Sequence, residues 1–385
     1  MFKRIFKINN LKQSFFLFGP RGTGKTTWIK NNFKNAIYFD LLDSETNQTL
    51  LANPSRITKY IPKNYKNWII IDEVQKIPDL LNEIHKLIES EKYKFILTGS
   101  SARSLRKKGV NLLAGRALTY YFHPLTHQEL EDKFSLKHSL RFGQLPMAYT
   151  FPNPDQFLNS YVQTYLREEV LQEGLTRNLG NFSRFLEIAS FSQGEVLNIS
   201  QVASDANLER KTTENYFSIL EDLLIAYRIP VFNRRAKRKL ISHNKFYFFD
   251  TGVFSTIRPK GLIDTKSEIE GPALETLFLQ EIRAINDYYH LEYNIHYWRS
   301  KTGLEVDFAL YGPKGFLGIE IKRKSNIRSQ DLKSLNIFGK DYPEAKLFVF
   351  CSVSRPEYHN NITILPLEKA LDELDKILKN NFPRI

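Results

Sequence analysis

The chain has 385 residues, a length that divides into two or three cores rather than one. Hydrophobic residues make up 42% and charged residues 25%, the mix of a folded soluble protein; the formal net charge of +13 attracts polyanions without saying which kind. The single cysteine, Cys351, excludes an internal disulfide, no apolar run nears the roughly 20 residues that span a bilayer, and Lys7 interrupts the first apolar stretch too early for a signal peptide, so a cytoplasmic protein with no membrane partner is expected.

The first 125 residues alternate short apolar runs with helical stretches. Phe15–Phe18, Ala36–Phe39, Trp68–Ile71, Phe95–Thr98 and Ala117–Tyr121 are nearly continuous apolar runs, the pattern of strands buried on both faces of a parallel sheet. Helical segments between them, notably 26–32 and 78–90, complete a βα repeat and predict a doubly wound α/β domain with helices on both faces.

Gly19-Pro20-Arg21-Gly22-Thr23-Gly24-Lys25-Thr26 matches G-x-x-x-x-G-K-[ST] between a strand and a helix that starts at Thr27. In that setting the glycines let backbone N–H groups close around phosphates, and the helix N-terminus adds a favourable dipole. Lys25 is expected on the β- and γ-phosphates and the Thr26 hydroxyl on Mg²⁺. Trp68–Ile71 then runs into Asp72 and Glu73 at the strand's C-terminal edge, where open α/β sheets bind ligands. Asp72 would hold the metal through its water shell and Glu73 would orient or deprotonate the attacking water. Ser100, after the next apolar strand, is either a γ-phosphate sensor or a helix N-cap. Arg116, just before the fifth run, is either an arginine for the γ-phosphate, in its own chain or across subunits of a homo-oligomer, or an ordinary surface or salt-bridged arginine.

Residues 19–27, Ile70-Ile-Asp-Glu-Val-Gln-Lys-Ile-Pro78, Leu97-Thr-Gly-Ser-Ser101 and Leu113-Ala-Gly-Arg116 together resemble a family of bacterial and archaeal AAA-type ATPases. In that family an AAA core precedes a C-terminal region, whose beginning Tyr161–Val170 resembles. The resemblance implies an AAA-like sheet, ATP and Mg²⁺, and domains over 1–125 (ATPase core) and 126–178 (helical connector).

Residues 179–258 read as a winged-helix domain: a short helix and turn over 199–208, a longer helix over 209–227, then strands at 229–232 and 245–249 that bracket a basic loop. Arg210, Lys211, Arg234, Arg235, Lys237, Arg238 and Lys239 are its candidate phosphate contacts, with DNA the expected nucleic acid and protein docking the competing use. Residues 259–385 add a helix over 272–289 and strands at 295–298, 305–310, 316–322 and 346–351. Alternation puts Glu320 and Lys322 on one face of a strand. If Asp307 pairs alongside, two hard oxygen ligands converge with an ammonium, a set that suits Mg²⁺. The spacing D-x₁₂-E-x-K resembles the PD-(D/E)XK nuclease core. That resemblance implies Asp307 and Glu320 as metal ligands, Lys322 as the catalytic lysine and Glu275 as an auxiliary acid. Two readings follow: an ATPase coupled to a nucleic-acid-binding and nucleolytic module, or an ATP-dependent switch whose nuclease-like domain only docks.

Overall fold

A strand without a polar face must be covered on both sides, and β1 (Ser14–Phe18) is buried along its whole length. In the computed structural model, which describes residues 2–8, 12–100, 113, 115–166, 170, 178–233, 244–261 and 266–382, it lies inside a five-stranded parallel sheet. The order is β2 (Ile37–Asp40), β3 (Trp68–Asp72), β4 (Lys94–Gly99), β1, β5 (Ala117–Tyr121). Phe16 and Phe18 turn to one face, where they join Ile69, Ile71 and Leu97 beneath α2 (Ser44–Ala52) and α3 (Leu80–Glu91). Phe15 turns to the other and meets Phe33 and Trp68, next to Trp28 of α1 (Lys25–Asn32). The period-2 alternation of a single strand thus supplies both cores of the α/β layer.

The chain divides by its contacts into Met1–Leu125 with Asp222–Ile225, and Thr126–Glu221 with Ala226–Ile385. The second unit contains α4 (Leu136–Phe142), α5 (Leu179–Ser190), α6 (Ile199–Ala206) and α7 (Arg210–Asp222, whose last residue falls in the first unit). A two-stranded antiparallel sheet of β6 (Ala226–Ile229) and β7 (Lys245–Phe248) follows, then α8 (Thr251–Ile257). The side chain of Asn198 caps α6 by accepting from Gln201 N, and Asn207 ends it in the left-handed region. The strand expected at 229–232 lies three residues earlier. After α7 the chain reverses at Leu224, with φ 58°, and is already extended by Ala226. Beyond Ile229 it leaves β7, and Phe232 N donates to Tyr297 O at 2.6 Å.

The rest is a six-stranded mixed sheet ordered β12 (Glu357–His359), β13 (Ile362–Pro366), β11 (Lys346–Cys351), β10 (Gly315–Lys322), β9 (Glu305–Gly312), β8 (Asn294–Arg299). One face packs Phe308, Leu310, Leu317 and Ile319 against Leu274, Phe278 and Ile282 of α9 (Lys266–Tyr288). The other packs Val306, Ala309 and Val349 with Leu335 and Phe338 of α10 (Lys333–Asp341). Among the described residues no helix is long and apolar enough to cross a membrane.

Candidate nucleotide site and a second charged cluster

Because the first sheet is parallel, all its strands end at one edge. The pairings Phe18 with Gly99 and Ile71 with Leu97 bring the loop after β1, the end of β3 and the end of β4 side by side. Gly22 and Gly24 take φ of 81° and 94°, conformations that cost glycine nothing and a side chain much. Gly19 approaches so closely that an added Cβ would lie 2.2 Å from Phe122 O. The loop is braced from within by Thr23 Oγ1 donating to Pro20 O at 2.9 Å. From without, Arg4 donates to Thr23 O at 3.2 Å and to His123 O at 2.6 Å.

Lys25, 6% exposed, donates to Gly19 O at 2.7 Å and Pro20 O at 3.1 Å, so its ammonium lies over its own loop. Thr26 Oγ1 donates to Asp72 Oδ2 at 2.9 Å. This hydroxyl–carboxylate pair, with phosphate oxygens to complete the shell, suits Mg²⁺. Two further hydroxyls converge on the same buried carboxylate: Thr98 on Oδ1 and Tyr38 on Oδ2. Burial, then the hydrogen bond to Asp72 and the nearby carboxylates, hold the Tyr38 phenol protonated far above its ordinary range. Glu73 sits in the left-handed region, φ 60° and ψ 47°, an uncommon conformation for a residue with a side chain. Its N–H donates to Thr98 Oγ1 at 3.2 Å, and its carboxylate accepts from Gln75, which also reaches Ser100 Oγ at 3.2 Å. Ser100 therefore faces Gln75, which links it to Glu73.

Arg116 is not at this edge. Ala117 is in register with Ser14, the first residue of β1, so Arg116 lies at the opposite end of the sheet, ion-paired with Glu89 of α3. Delivery to its own chain's γ-phosphate is ruled out by the direction of β5. Tyr38 and Gln75 are functional candidates that sequence reasoning missed. Gln75 stood in the D-E-V-Q string, but nothing in Ile37-Tyr-Phe-Asp40 marks a tyrosine aimed at another strand's carboxylate.

The second unit gathers the other predicted group. Asp307 Oδ2 accepts from Ile321 N at 2.8 Å, and Lys322 pairs with Glu320 Oε1. Glu320 Oε2 is buried and has no hydrogen-bond partner. Burial and then Asp307 push the Glu320 carboxyl up to about 7 against the pull of Lys322. The metal expected here does not fit. Glu275 turns to Tyr247, whose hydroxyl donates to it at 2.9 Å, and to Lys245 at 3.9 Å. Lys245, 5% exposed at its side chain, also lies 3.3 Å from Glu305 and 3.5 Å from Asp307. Among the described residues no group of three or more His, Cys, Asp or Glu side chains is placed to hold a metal ion. The assignment of Glu275, Asp307 and Glu320 as one metal shell is corrected accordingly: a lysine from β7, absent from the D…E-x-K pattern, stands between the first two. Burial draws Lys245 down, but the surrounding carboxylates outweigh it and hold the amine protonated.

Of the basic residues, Arg210 and Lys211 are exposed at the start of α7. Arg234, Arg235, Lys237, Arg238 and Lys239 lie outside the described residues, as does Ser101.

Comparison with known proteins agrees with the first unit's geometry. Residues 11–131 match an AAA domain, and 133–262 and 270–370 each match a domain of unknown function. An uncharacterised protein of Mycobacterium tuberculosis is 26% identical over 383 residues, covering 94% of this chain and 83% of the relative. One of Methanocaldococcus jannaschii is 23% identical, covering 77% and 71%. Among solved structures, the Aeropyrum pernix ORC1 protein in complex with DNA is 12% identical, with a TM-score of 0.30 over 69% of this chain and 87% of that one. The Bacillus subtilis DNA clamp loader delta protein is 15% identical, with a TM-score of 0.23 over 54% and 83%.

Proposed function

We propose that the AAA domain binds and hydrolyses ATP with Mg²⁺, and that the chain works as a nucleotide-driven switch whose second unit meets a nucleic-acid partner. The observation that carries the first half is the 2.9 Å bond from Thr26 to Asp72 beside the buried Lys25. A phosphate entering the loop would draw Lys25 from the carbonyls of Gly19 and Pro20, while the loop's N–H groups bind its oxygens. Thr26 and Asp72 would hold Mg²⁺, which when bound neutralises charge developing on the β- and γ-phosphates. Glu73 would orient a water and take its proton. Thr98, Tyr38 and Gln75 keep these two carboxylates in place.

The partner half draws on the net charge of +13, on exposed Arg210 and Lys211, and on the order of three helices followed by a β-hairpin over 179–248, which supports the winged-helix reading. A nucleolytic role finds no support at the Lys245 cluster, which favours docking over cleavage.

Steady-state phosphate release with Mg²⁺ tests the first half. Lys25→Ala and Asp72→Asn are each expected to lower turnover by about 10²–10³-fold. Undiminished turnover in either variant refutes the site. For the second half, duplex DNA affinity is expected to fall steeply with salt, and Arg210→Glu/Lys211→Glu to flatten that slope by about two ions. An unchanged slope removes α7 from the interface.

A further inference from the structure

We infer that Lys245 is the resident cation of the carboxylate cluster in the second unit, and that the cluster serves as an electrostatic latch holding the β6–β7 hairpin to the C-terminal sheet rather than as a divalent-metal site. Lys245 opens β7, where Ile229 and Val196 pair with it from two sides, so its backbone is fixed before its side chain is considered. Its ammonium then meets carboxylates from two other elements: Glu275 of α9, and Glu305 and Asp307 of β9. The aromatic ring of Tyr297 on β8 lies 5.7 Å from the same nitrogen.

Those ammonium–oxygen separations, 3.3 to 3.9 Å, exceed the ~2.0–2.6 Å at which Mg²⁺ or Ca²⁺ holds oxygen. A divalent ion bridging Glu275 and Asp307 would have to draw both inward and sit against a buried ammonium, like charge on like charge in a poorly screened interior. With Lys322 on Glu320, two ammonium groups already face four carboxylates. Glu305 has a second cation in Arg299 at 3.3 Å. A charge buried in this way persists only when paired, which makes Lys245 the pin of the hairpin.

The test is Mn²⁺ binding to the full-length, nucleotide-free protein, read from the electron paramagnetic resonance signal of free Mn²⁺. Wild type and Asp307→Asn share the same first unit, so the inference expects superimposable isotherms. Lys245→Met is expected to gain one Mn²⁺ per chain that wild type lacks. That gain should vanish in Lys245→Met/Asp307→Asn, and Lys245→Arg should not show it. A wild type that binds one more Mn²⁺ than Asp307→Asn overturns the inference, whether or not Lys245→Met folds. So does a folded Lys245→Met that gains no site.

Discussion

Replacing Thr98 by valine removes one oxygen and preserves shape, in a side chain with no solvent exposure. Two bonds disappear: the one donated to Asp72 Oδ1 and the one accepted from Glu73 N. A hydrogen bond to a charged group contributes roughly 1.5–3 kcal/mol and a neutral one roughly 0.5–1.5, so the first unit should lose about 2–4 kcal/mol. Tyr38→Phe is the internal comparison. Oδ2 keeps its bond from Thr26, so the loss should stay at the low end of the charged range, about 1.5 kcal/mol. The two units need not unfold together, so the reporter must be local. Trp28 and Trp68 belong to the first unit and Trp298 to the second, so fluorescence in a Trp298→Phe background follows the first alone. With a urea dependence of roughly 2 kcal/mol per molar, the Thr98→Val midpoint should fall by roughly 1–2 M. A shift no larger than that of Tyr38→Phe would refute the reading that Thr98 braces both Asp72 and the Glu73 backbone.

Gly19→Ala should destabilise the first unit by about 1–3 kcal/mol and abolish binding of a fluorescent ATP analogue, because the new Cβ meets the rigid carbonyl of Phe122 at 2.2 Å. Glu281, 1% exposed and accepting from His127 N at 2.6 Å, is pushed up by burial to about 8. A carboxyl raised on folding binds its proton more tightly in the native state, so its contribution is complete below the ordinary value of 4.5 and is lost as pH rises towards 8. Melting of the second unit should therefore fall across that window in wild type and flatten in Glu281→Gln; an equal slope in both would refute it. Cys351 is fully buried, with its thiol pushed up by burial, so a thiol reagent should label the native protein only at the rate of global unfolding. Rapid labelling under native conditions would contradict the sheet packing.

What was legible depended on how local the signal was. The glycine loop could be read because its backbone must reach positive φ at Gly22 and Gly24, and only certain residues permit that. Strands buried on both faces could be read as apolar runs, and Lys346–Cys351 has the predicted bounds. Whether Arg116 could serve its own chain's γ-phosphate was not legible, because that depends on which sheet edge it occupies, a property of strand direction rather than of neighbouring residues. The hairpin strand was shifted because a left-handed Leu224, not a glycine, makes the turn. Lys245 was invisible as a site residue because its partners lie 30, 60 and 62 positions away on other elements. Tyr38 reaches Asp72 from a neighbouring strand in the same way.

The strand order has a temporal meaning. β1 emerges first during synthesis, yet both of its neighbours, β4 and β5, come some eighty to a hundred residues later. Arg4 likewise waits for His123 before it can clamp the loop. A nascent chain therefore carries an apolar ribbon whose second edge stays unpaired until the ribosome has passed Tyr121, and closure of such distant pairings is slow. Ribosome-bound chains stalled before that point should bind chaperones through β1, and those stalled well beyond it should not.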